Sequence, residues 1–529
     1  MSHDEDPSGP SGPAGEGLCV PRAGIEYLRH QMEGVRWMMQ RESPTAAVCR
    51  GGVLGDDMGL GKTFQTIGLM RNGLALRTLI VCPPALVAGW KEELGACGYS
   101  VRTLMQSASW TPAVAGEEER EPVWLTTYPK ATMYKEKMEP AEGPFQRVVL
   151  DEGHVIRNGK ATARWSAAME YAAAAECRWI LSATPVQNSS SDWKNLLAWL
   201  QAKCDGAVAD ELAPTIMLRR TMEELRADIE ALPRPPRYIS HDLHITEKKE
   251  LRLFRALCDQ LENAIESHTV SALMKLELYL RIQQFLVHPQ LYIESMRRKF
   301  RGAYPRPDWT GAASKWSACF AEMARGVTAR ASQIVFCMFR DEMDRVAEEA
   351  AALGAEVFSV RGGMGSDKVG EAVTGARAAA AEGKPVVFVV QIVAGGAGLN
   401  LQFCTRVLFL SQHWNPAVVH QAVGRAVRIG QSAVVEVHMF RVVDDVMDNL
   451  DRRMVQVHLR KIAGAREICQ SLYCGFAPLR EEAFPGGHSL SPDAPSASGG
   501  RVAAGAEDED DEDPTGSEDA DPPPVDSSW

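Results

Sequence analysis

Short apolar runs recur along the chain at residues 79–82, 148–150, 179–181, 334–336, 386–390 and 407–410, each five residues or fewer and almost unbroken by polar side chains. A strand with one wet face alternates apolar and polar residues, whereas an unbroken run marks a strand buried on both faces. Stretches of helical period separate the runs, so the pattern is βαβ and predicts an α/β fold with mostly parallel sheets. The runs form two groups, one ending near residue 205 and the other starting near 312. Between them the pattern changes. Pro233, Pro235 and Pro236 are followed by Leu251, Phe254, Leu257, Leu261 and Ile265 at helical intervals, then by a second helical run over 273–285 that stops at His288-Pro289. A basic stretch, Arg297-Arg298-Lys299-Phe300-Arg301, comes next. The prediction is two α/β lobes joined by a helical insertion.

That division gives a tail at 1–22, a first lobe at 23–210, an inter-lobe insertion at 211–311, a second lobe at 312–465, and a C-terminal extension with an acidic tail at 466–529. Both tails lack apolar periodicity, are rich in Pro, Gly and acid, and are expected to be disordered. They also carry the charge. A formal net charge of −12 argues against a nucleic-acid partner if spread evenly. Residues 502–529 hold eleven acids and residues 1–20 hold four, with no Lys or Arg in either, so the chain from 21 to 501 is +3. The longest nearly apolar run, 386–399, is 14 residues and is interrupted by Gln391, short of the roughly 18 that a membrane span needs. The N-terminus has no basic or apolar leader region, so no secretory signal is expected. Twelve Cys are scattered without a Cys-x-x-Cys pair, which suits reduced thiols in an intracellular protein.

Candidate chemistry begins at Gly55-Asp56-Asp57-Met58-Gly59-Leu60-Gly61-Lys62-Thr63. Gly59 and Gly61 let backbone amides turn inward around phosphate oxygens, Lys62 can reach the β and γ phosphates, and the Thr63 hydroxyl can hold Mg²⁺. Asp56 stands where the strict phosphate-loop pattern has Gly, and a Gly-rich turn opening an ordinary helix would explain the loop taken alone. About 90 residues on, the run 148–150 ends in Asp151-Glu152-Gly153-His154. Carboxylates at the C-terminal edge of a parallel strand lie beside the crevice where α/β folds bind ligands. Asp151 is placed to hold Mg²⁺, and Glu152 to orient or deprotonate the attacking water. The two motifs together point to nucleotide hydrolysis.

These residues resemble the Swi/Snf-type DNA-dependent ATPases, the DNA translocases and chromatin remodellers of helicase superfamily two. The resemblance runs from about Tyr27 to about Ile462 and implies two RecA-like lobes. The family's own phosphate loop also carries Asp at the irregular position. Leu28-Arg29-His30-Gln31 with Gly34 and Trp37 looks like the element whose Gln, here Gln31, reads adenine. The segment 79–84 with Trp90, and Leu125-Thr126-Thr127-Tyr128, resemble motifs that touch the DNA backbone. Ser182-Ala183-Thr184-Pro185 with Gln187-Asn188 resembles the motif coupling hydrolysis to lobe movement, and Met217-Leu218-Arg219-Arg220-Thr221 and Val287-His288-Pro289 resemble inter-lobe signatures. In the second lobe Gly398-Leu399-Asn400-Leu401, Trp414-Asn415-Pro416, and the stretch from His420-Gln421 through Arg425 and Arg428 to Gln431 resemble the last motifs. Gly153, the Ser-Ala-Thr form, Gly424 and Val427 depart from common family residues, and Cys and His clusters for a RING insertion are missing.

Arg425 and Arg428 are three apart, so on a helix they would share a face and could reach one anion together. Two guanidinium forks suit a γ phosphate in its transition state. Arriving from the other lobe, they would tie hydrolysis to cleft closure. The resemblance implies ATP and Mg²⁺ as cofactors, with Gln31, Asp57, Met58, Gly59, Leu60, Gly61, Lys62, Thr63, Gly398 and Gln421 at the nucleotide. It implies Lys62, Asp151, Glu152, Arg425 and Arg428 in catalysis, with Thr63 and Asp151 at the metal. The implied activity is ATP-driven tracking on double-stranded DNA, in remodelling, repair or transcription and wherever the DNA is, a nucleus by expectation. A strand-separating RNA or DNA helicase is the enzymatic alternative, disfavoured by Gln31, Trp414-Asn415-Pro416 and the insertion. A scaffold with a decayed motor would have lost Lys62, Asp151, Glu152 or Arg425, and all are present. The acidic tails suit solubility or a basic partner such as histones.

Overall fold

The computed structural model describes residues 18–443, apart from 21–23, 47, 106, 108, 112–121, 188–189, 203–212, 228, 231, 268, 393–398, 412 and 414. Residues 1–17 of the N-terminal tail, the end of the second lobe at 444–465, the whole C-terminal extension and acidic tail at 466–529, and Gly398, Trp414 and Asn188 therefore lie outside the described residues.

The first lobe is built on seven strands: β1 (Gly51–Leu54), β2 (Thr78–Cys82), β3 (Val101–Thr103), β4 (Val123–Thr127), β5 (Arg147–Asp151), β6 (Cys177–Leu181) and β7 (Met217–Leu218). They form one parallel sheet in the order β3-β4-β2-β5-β6-β1-β7. The second lobe has six: β8 (Arg237–Leu243), β9 (Gln333–Cys337), β10 (Glu356–Val360), β11 (Val386–Gln391), β12 (Arg406–Phe409) and β13 (Glu436–Val442), ordered β10-β11-β9-β12-β13-β8 and again parallel.

The unbroken apolar runs have the expected cause. In β5, Val148 and Leu150 point into one core while Val149 points into another on the opposite face. In β11, Val386, Phe388 and Val390 enter one core and Val387 and Val389 the other. Helices cover both faces of each sheet, and alternate residues of one strand supply two separate cores.

The inter-lobe segment contains the helices Lys248–Glu266, Ala272–Val287 and Pro289–Lys299. Phe254, Leu257 and Leu261 of the first pack on Ile282, Phe285 and Leu286 of the second, as the spacing predicts, whereas Ile265 is exposed. His288 separates the second and third helices: its Nδ1 accepts from Gln290 N at 3.1 Å, and Pro289 takes the first helical position, where no amide is needed. Two strands in the same segment escape the helical reading. β7 is two residues long, and β8 is a half-exposed edge strand carrying Arg, His and Asp, so neither shows an apolar run. Each joins the sheet of a different lobe, so the insertion is stitched to both.

Candidate active site

The chain leaves β1 at Leu54 and enters the helix Lys62–Asn72, so residues 55–61 turn at the C-terminal edge of the first sheet. Gly59 and Gly61 have φ of +84° and +81°. A Cβ on Gly61 would stand 2.6 Å from Gln31 Nε2, and one on Gly59 would stand 3.1 Å from Arg428 Cα. Backbone handedness and crowding both require glycine there. Gln31 lies over the loop, with its Nε2 donating to Leu60 O at 3.4 Å and its Oε1 accepting from Leu28 N at 3.1 Å. Lys62 folds its ammonium onto the loop, donating to Asp56 O at 2.6 Å and Asp57 O at 3.1 Å. Burial pulls its pKa down, and the carboxylates of Glu152, Asp56, Asp151 and Asp57 oppose that.

Asp56, the irregular residue of the loop, is 0% exposed. Arg220 holds it as a fork, Nη2 to Oδ2 at 2.6 Å and Nε to Oδ1 at 3.0 Å, while Arg220 N and Gln65 Nε2 donate at 3.1 Å and 3.0 Å. Asp57 accepts from Arg219 Nη2 at 3.3 Å and from Met222 N at 3.1 Å. Arg219 also donates to Gly55 O at 2.9 Å and Ala183 O at 2.6 Å, joining the phosphate loop to the Ser-Ala-Thr segment. Thus the loop's two aspartates are the anchors of Arg219 and Arg220, a structural use that sequence reading missed. Adjacent charges at both places, Asp-Asp and Arg-Arg, were the available signal.

Asp151 ends β5, and Glu152 follows in the left-handed region at φ +51°, a sparsely populated conformation for a non-glycine residue. Trp90 Nε1 donates to Asp151 Oδ2 at 2.8 Å, and Tyr128 Oη donates to Asp151 O at 2.8 Å. Burial, then the charge of Glu152, pushes Asp151 up to about 6. For Glu152, burial raises the pKa, but His154, Arg425 and Lys62 together hold it below the usual carboxylate value. His154 Nδ1 lies 3.3 Å from Glu152 Oε2 and 3.1 Å from Ser182 Oγ, so it bridges the acid pair to the Ser-Ala-Thr segment.

The second lobe reaches the same place. Gln421 Nε2 lies 3.5 Å from Glu152 Oε2 and 3.4 Å from Thr184 Oγ1, and Asn415 Nδ2 donates to Gln187 Oε1 at 3.0 Å. The helix carrying Gln421, Pro416–Val423, stops before the arginines, with Gly424 as its cap. Arg425 and Arg428 therefore do not share a helical face; they sit on the turns that follow. Arg425 is buried, and burial draws its guanidinium down to about 10 against the attraction of Glu152. Arg428 has its backbone against Gly59, its Nη1 donating weakly to Leu399 O at 3.5 Å, and Glu93 as its charged neighbour. The two arginines are nonetheless close enough that the charge of Arg428 helps to lower the pKa of Arg425.

Of the nucleotide residues expected from sequence, Gln31, residues 57–63 and Gln421 converge on one cleft between the lobes, with Lys62, Asp151, Glu152 and Arg425 inside it. The residues fit a magnesium nucleotide: a loop turned by two positive-φ glycines, an ammonium resting on backbone carbonyls, and a buried carboxylate at the strand edge whose charge reaches Lys62.

A parallel two-lobe fold with a phosphate loop in one lobe and arginines in the other is the architecture of the helicase-like ATPases. Residues 30–210 match the SNF2-related domain and residues 318–430 the helicase conserved C-terminal domain, together more than half the chain. The chain belongs to the Swi/Snf family of helicase-like ATPases. It is 25% identical over 462 residues to the "Probable global transactivator" of Orgyia pseudotsugata multicapsid polyhedrosis virus, covering 81% of this chain and 88% of that protein. It is 24% identical over 457 residues to zebrafish (Danio rerio) "Chromodomain-helicase-DNA-binding protein 1-like", covering 78% of this chain but 41% of that protein. Against the "ATP-dependent DNA helicase DDM1" of Arabidopsis thaliana the identity is 22%, with 88% of this chain and 65% of that protein covered. The chain thus spans most of the viral relative and less than half of the chromodomain protein. Among solved structures, the Sulfolobus solfataricus SWI2/SNF2 ATPase core in complex with dsDNA aligns over 81% of this chain and 90% of its own, with 23% identity and a TM-score of 0.37. Among the described residues, no helix is long and apolar enough to cross a membrane, and the nine cysteines form no disulfide.

Proposed function

We propose that this protein is a DNA-dependent ATPase that hydrolyses ATP to track along double-stranded DNA, in remodelling, repair or transcription. The observation that carries the reading is the meeting of Gln421 and Arg425 from one lobe with Thr184 and Glu152 from the other, where the charge of Lys62 also acts on Glu152. A cleft whose reactive groups come from two bodies completes itself only on closure, so turnover moves the lobes.

The roles follow from the chemistry of each group. Lys62 leaves the carbonyls of Asp56 and Asp57 for the β and γ phosphates, which are stronger acceptors. Glu152, kept ionised by the His154 bond and by Arg425 and Lys62, orients the attacking water and takes its proton. Arg425 lies against the charge that develops on the transferred phosphoryl group. Thr63 and Asp151 would hold Mg²⁺, which neutralises phosphate charge when bound.

DNA dependence is supported by Trp90 and Tyr128. Both belong to segments whose resemblance implies contact with the DNA backbone, and both bond directly to Asp151. A duplex that shifts those segments acts on a group inside the cleft. Relatives named as DNA helicases, and a body charge of +3 between residues 21 and 501, agree with a backbone grip that is sequence-independent and salt-sensitive. The test is ATP hydrolysis with duplex DNA, single-stranded RNA and nucleosomes. Stimulation by duplex DNA is expected; stimulation by single-stranded RNA alone would replace this reading with the strand-separating one.

A further inference from the structure

Outside the nucleotide cleft, three metal-ligating side chains converge on the second sheet. His241 is on β8, His438 on β13, and Glu322 on the helix Ser314–Thr328 that packs against β12, β13 and β8. In the parallel register Phe440 stands opposite His241, so His438, two residues earlier, shares a face with His241. One donor atom from each of the three lies within 4.8 Å of the others. His241 Nε2 is 3.0 Å from His438 Nδ1, and His438 Nδ1 is 3.9 Å from Glu322 Oε2. His438 and Glu322 are buried, while His241 is half-buried on the edge strand and opens to solvent. The His241 ring stacks on His438 and Phe440 with centroids 5.3 Å and 4.5 Å away, which fixes its plane.

We propose that His241, His438 and Glu322 form a site for a transition-metal dication of the zinc class, which pins the edge strand β8 to the second lobe. Two imidazoles and one carboxylate are a zinc donor set, and the open side at His241 leaves a fourth position for water. An outer partner is in place. Glu436 Oε2 lies 3.5 Å from His438 Nε2 and can accept the proton that nitrogen carries once Nδ1 binds metal. Without metal, Arg406 Nη2 donates to His438 Nε2 at 3.0 Å, which assigns the ring proton to Nδ1, facing His241. Metal loading moves that proton from Nδ1 to Nε2, leaves the ring neutral, and exchanges Arg406 for Glu436 as its partner. Arg406 keeps Glu322, through its carboxylate at 2.9 Å and its carbonyl at 3.1 Å. Burial and the charge of Arg406 hold His438 down to about 4, so no extra proton occupies the ring at neutral pH. The nearby charges are mixed: Glu322, Glu436 and Asp242 against Arg406, Arg325, Arg237 and Arg441. The cations temper the affinity, so micromolar rather than zinc-finger binding is expected.

The test uses the full chain, stripped with chelator and titrated with Zn²⁺ alone, without nucleotide or DNA. One equivalent is expected, with a rise in melting temperature. His241→Ala, at the accessible edge, and the isosteric Glu322→Gln should each weaken binding about tenfold or more and abolish the rise. Equal melting temperatures of variant and parent in chelator exclude a folding defect in His241→Ala, and the Glu322→Gln titration repeats the test with side-chain volume kept. Co²⁺ separates this site from the thiols: nitrogen and oxygen ligation gives visible bands without thiolate charge transfer. Absence of zinc binding, unchanged binding in both variants, or a thiolate spectrum would each overturn the proposal.

Discussion

The two lobes hold their parts of the cleft by different means. In the first, the phosphate loop is clamped by charge: Asp56 in the fork of Arg220, and Asp57 on Arg219, which also grips Gly55 and Ala183. In the second, Gln421 reaches Glu152 and Thr184 through long neutral-donor bonds of 3.5 Å and 3.4 Å, and Asn415 meets Gln187 through one ordinary bond. Breaking a buried charge pair costs about 3–5 kcal/mol, whereas a typical hydrogen bond contributes about 1 kcal/mol net. The phosphate loop is therefore held more firmly than the seam to the second lobe, where two long bonds and one ordinary one are joined by the attraction of Arg425 for Glu152.

Changes at the reacting groups should have the largest effect. Lys62→Ala and Arg425→Ala are each expected to lower DNA-stimulated ATP turnover by about a thousandfold, measured as kcat at saturating duplex. Unchanged turnover in Lys62→Ala would end the ATPase reading. The clamp itself comes next. Arg220→Ala leaves Asp56 buried without its counterion, and should lower unfolding stability by about 3 kcal/mol in urea titration. Asp56→Gly restores the strict phosphate-loop pattern, yet it strands Arg220, so it should destabilise the protein rather than improve it.

Trp90→Phe keeps most of the ring's bulk and removes only the donor to Asp151. It should lower the duplex-stimulated rate by about tenfold, as loss of one charge-assisted bond would, with the basal rate less affected. A single loss applied equally to both rates would separate Asp151 from the DNA-facing segments. The smallest effect is expected at the inter-lobe seam. Gln187→Ala should weaken closure by about 1 kcal/mol, visible as a several-fold rise in the duplex concentration giving half-maximal ATPase.

The site was legible in unequal degrees. Lys62, Asp151 and Glu152 could be read because phosphate loops and acid-ended strands are contiguous motifs, and Gln421 because the resemblance carried it. The helical placement of Arg425 and Arg428 was wrong: spacing alone does not show that the helix stops at Val423. β7 and β8 were hidden because an edge strand wet on one side, or only two residues long, leaves no apolar run. β13 was hidden because Glu436, His438 and Arg441 interrupt its apolar residues, although His438 and Arg441 are themselves buried among partners.

What the sequence determined by itself was local: which runs are buried on both faces, where glycine must turn a loop, and where acids end a strand. These depend on neighbours within a few residues and on solvent exclusion, so periodicity records them. Only the tertiary structure decided which charges neutralise one another. Asp56 and its counterion Arg220 are 164 residues apart, and His241 and His438 are 197 apart. The strand order brings each pair together. A buried charge takes whatever partner the sheet places within reach, and no spacing along the chain encodes that.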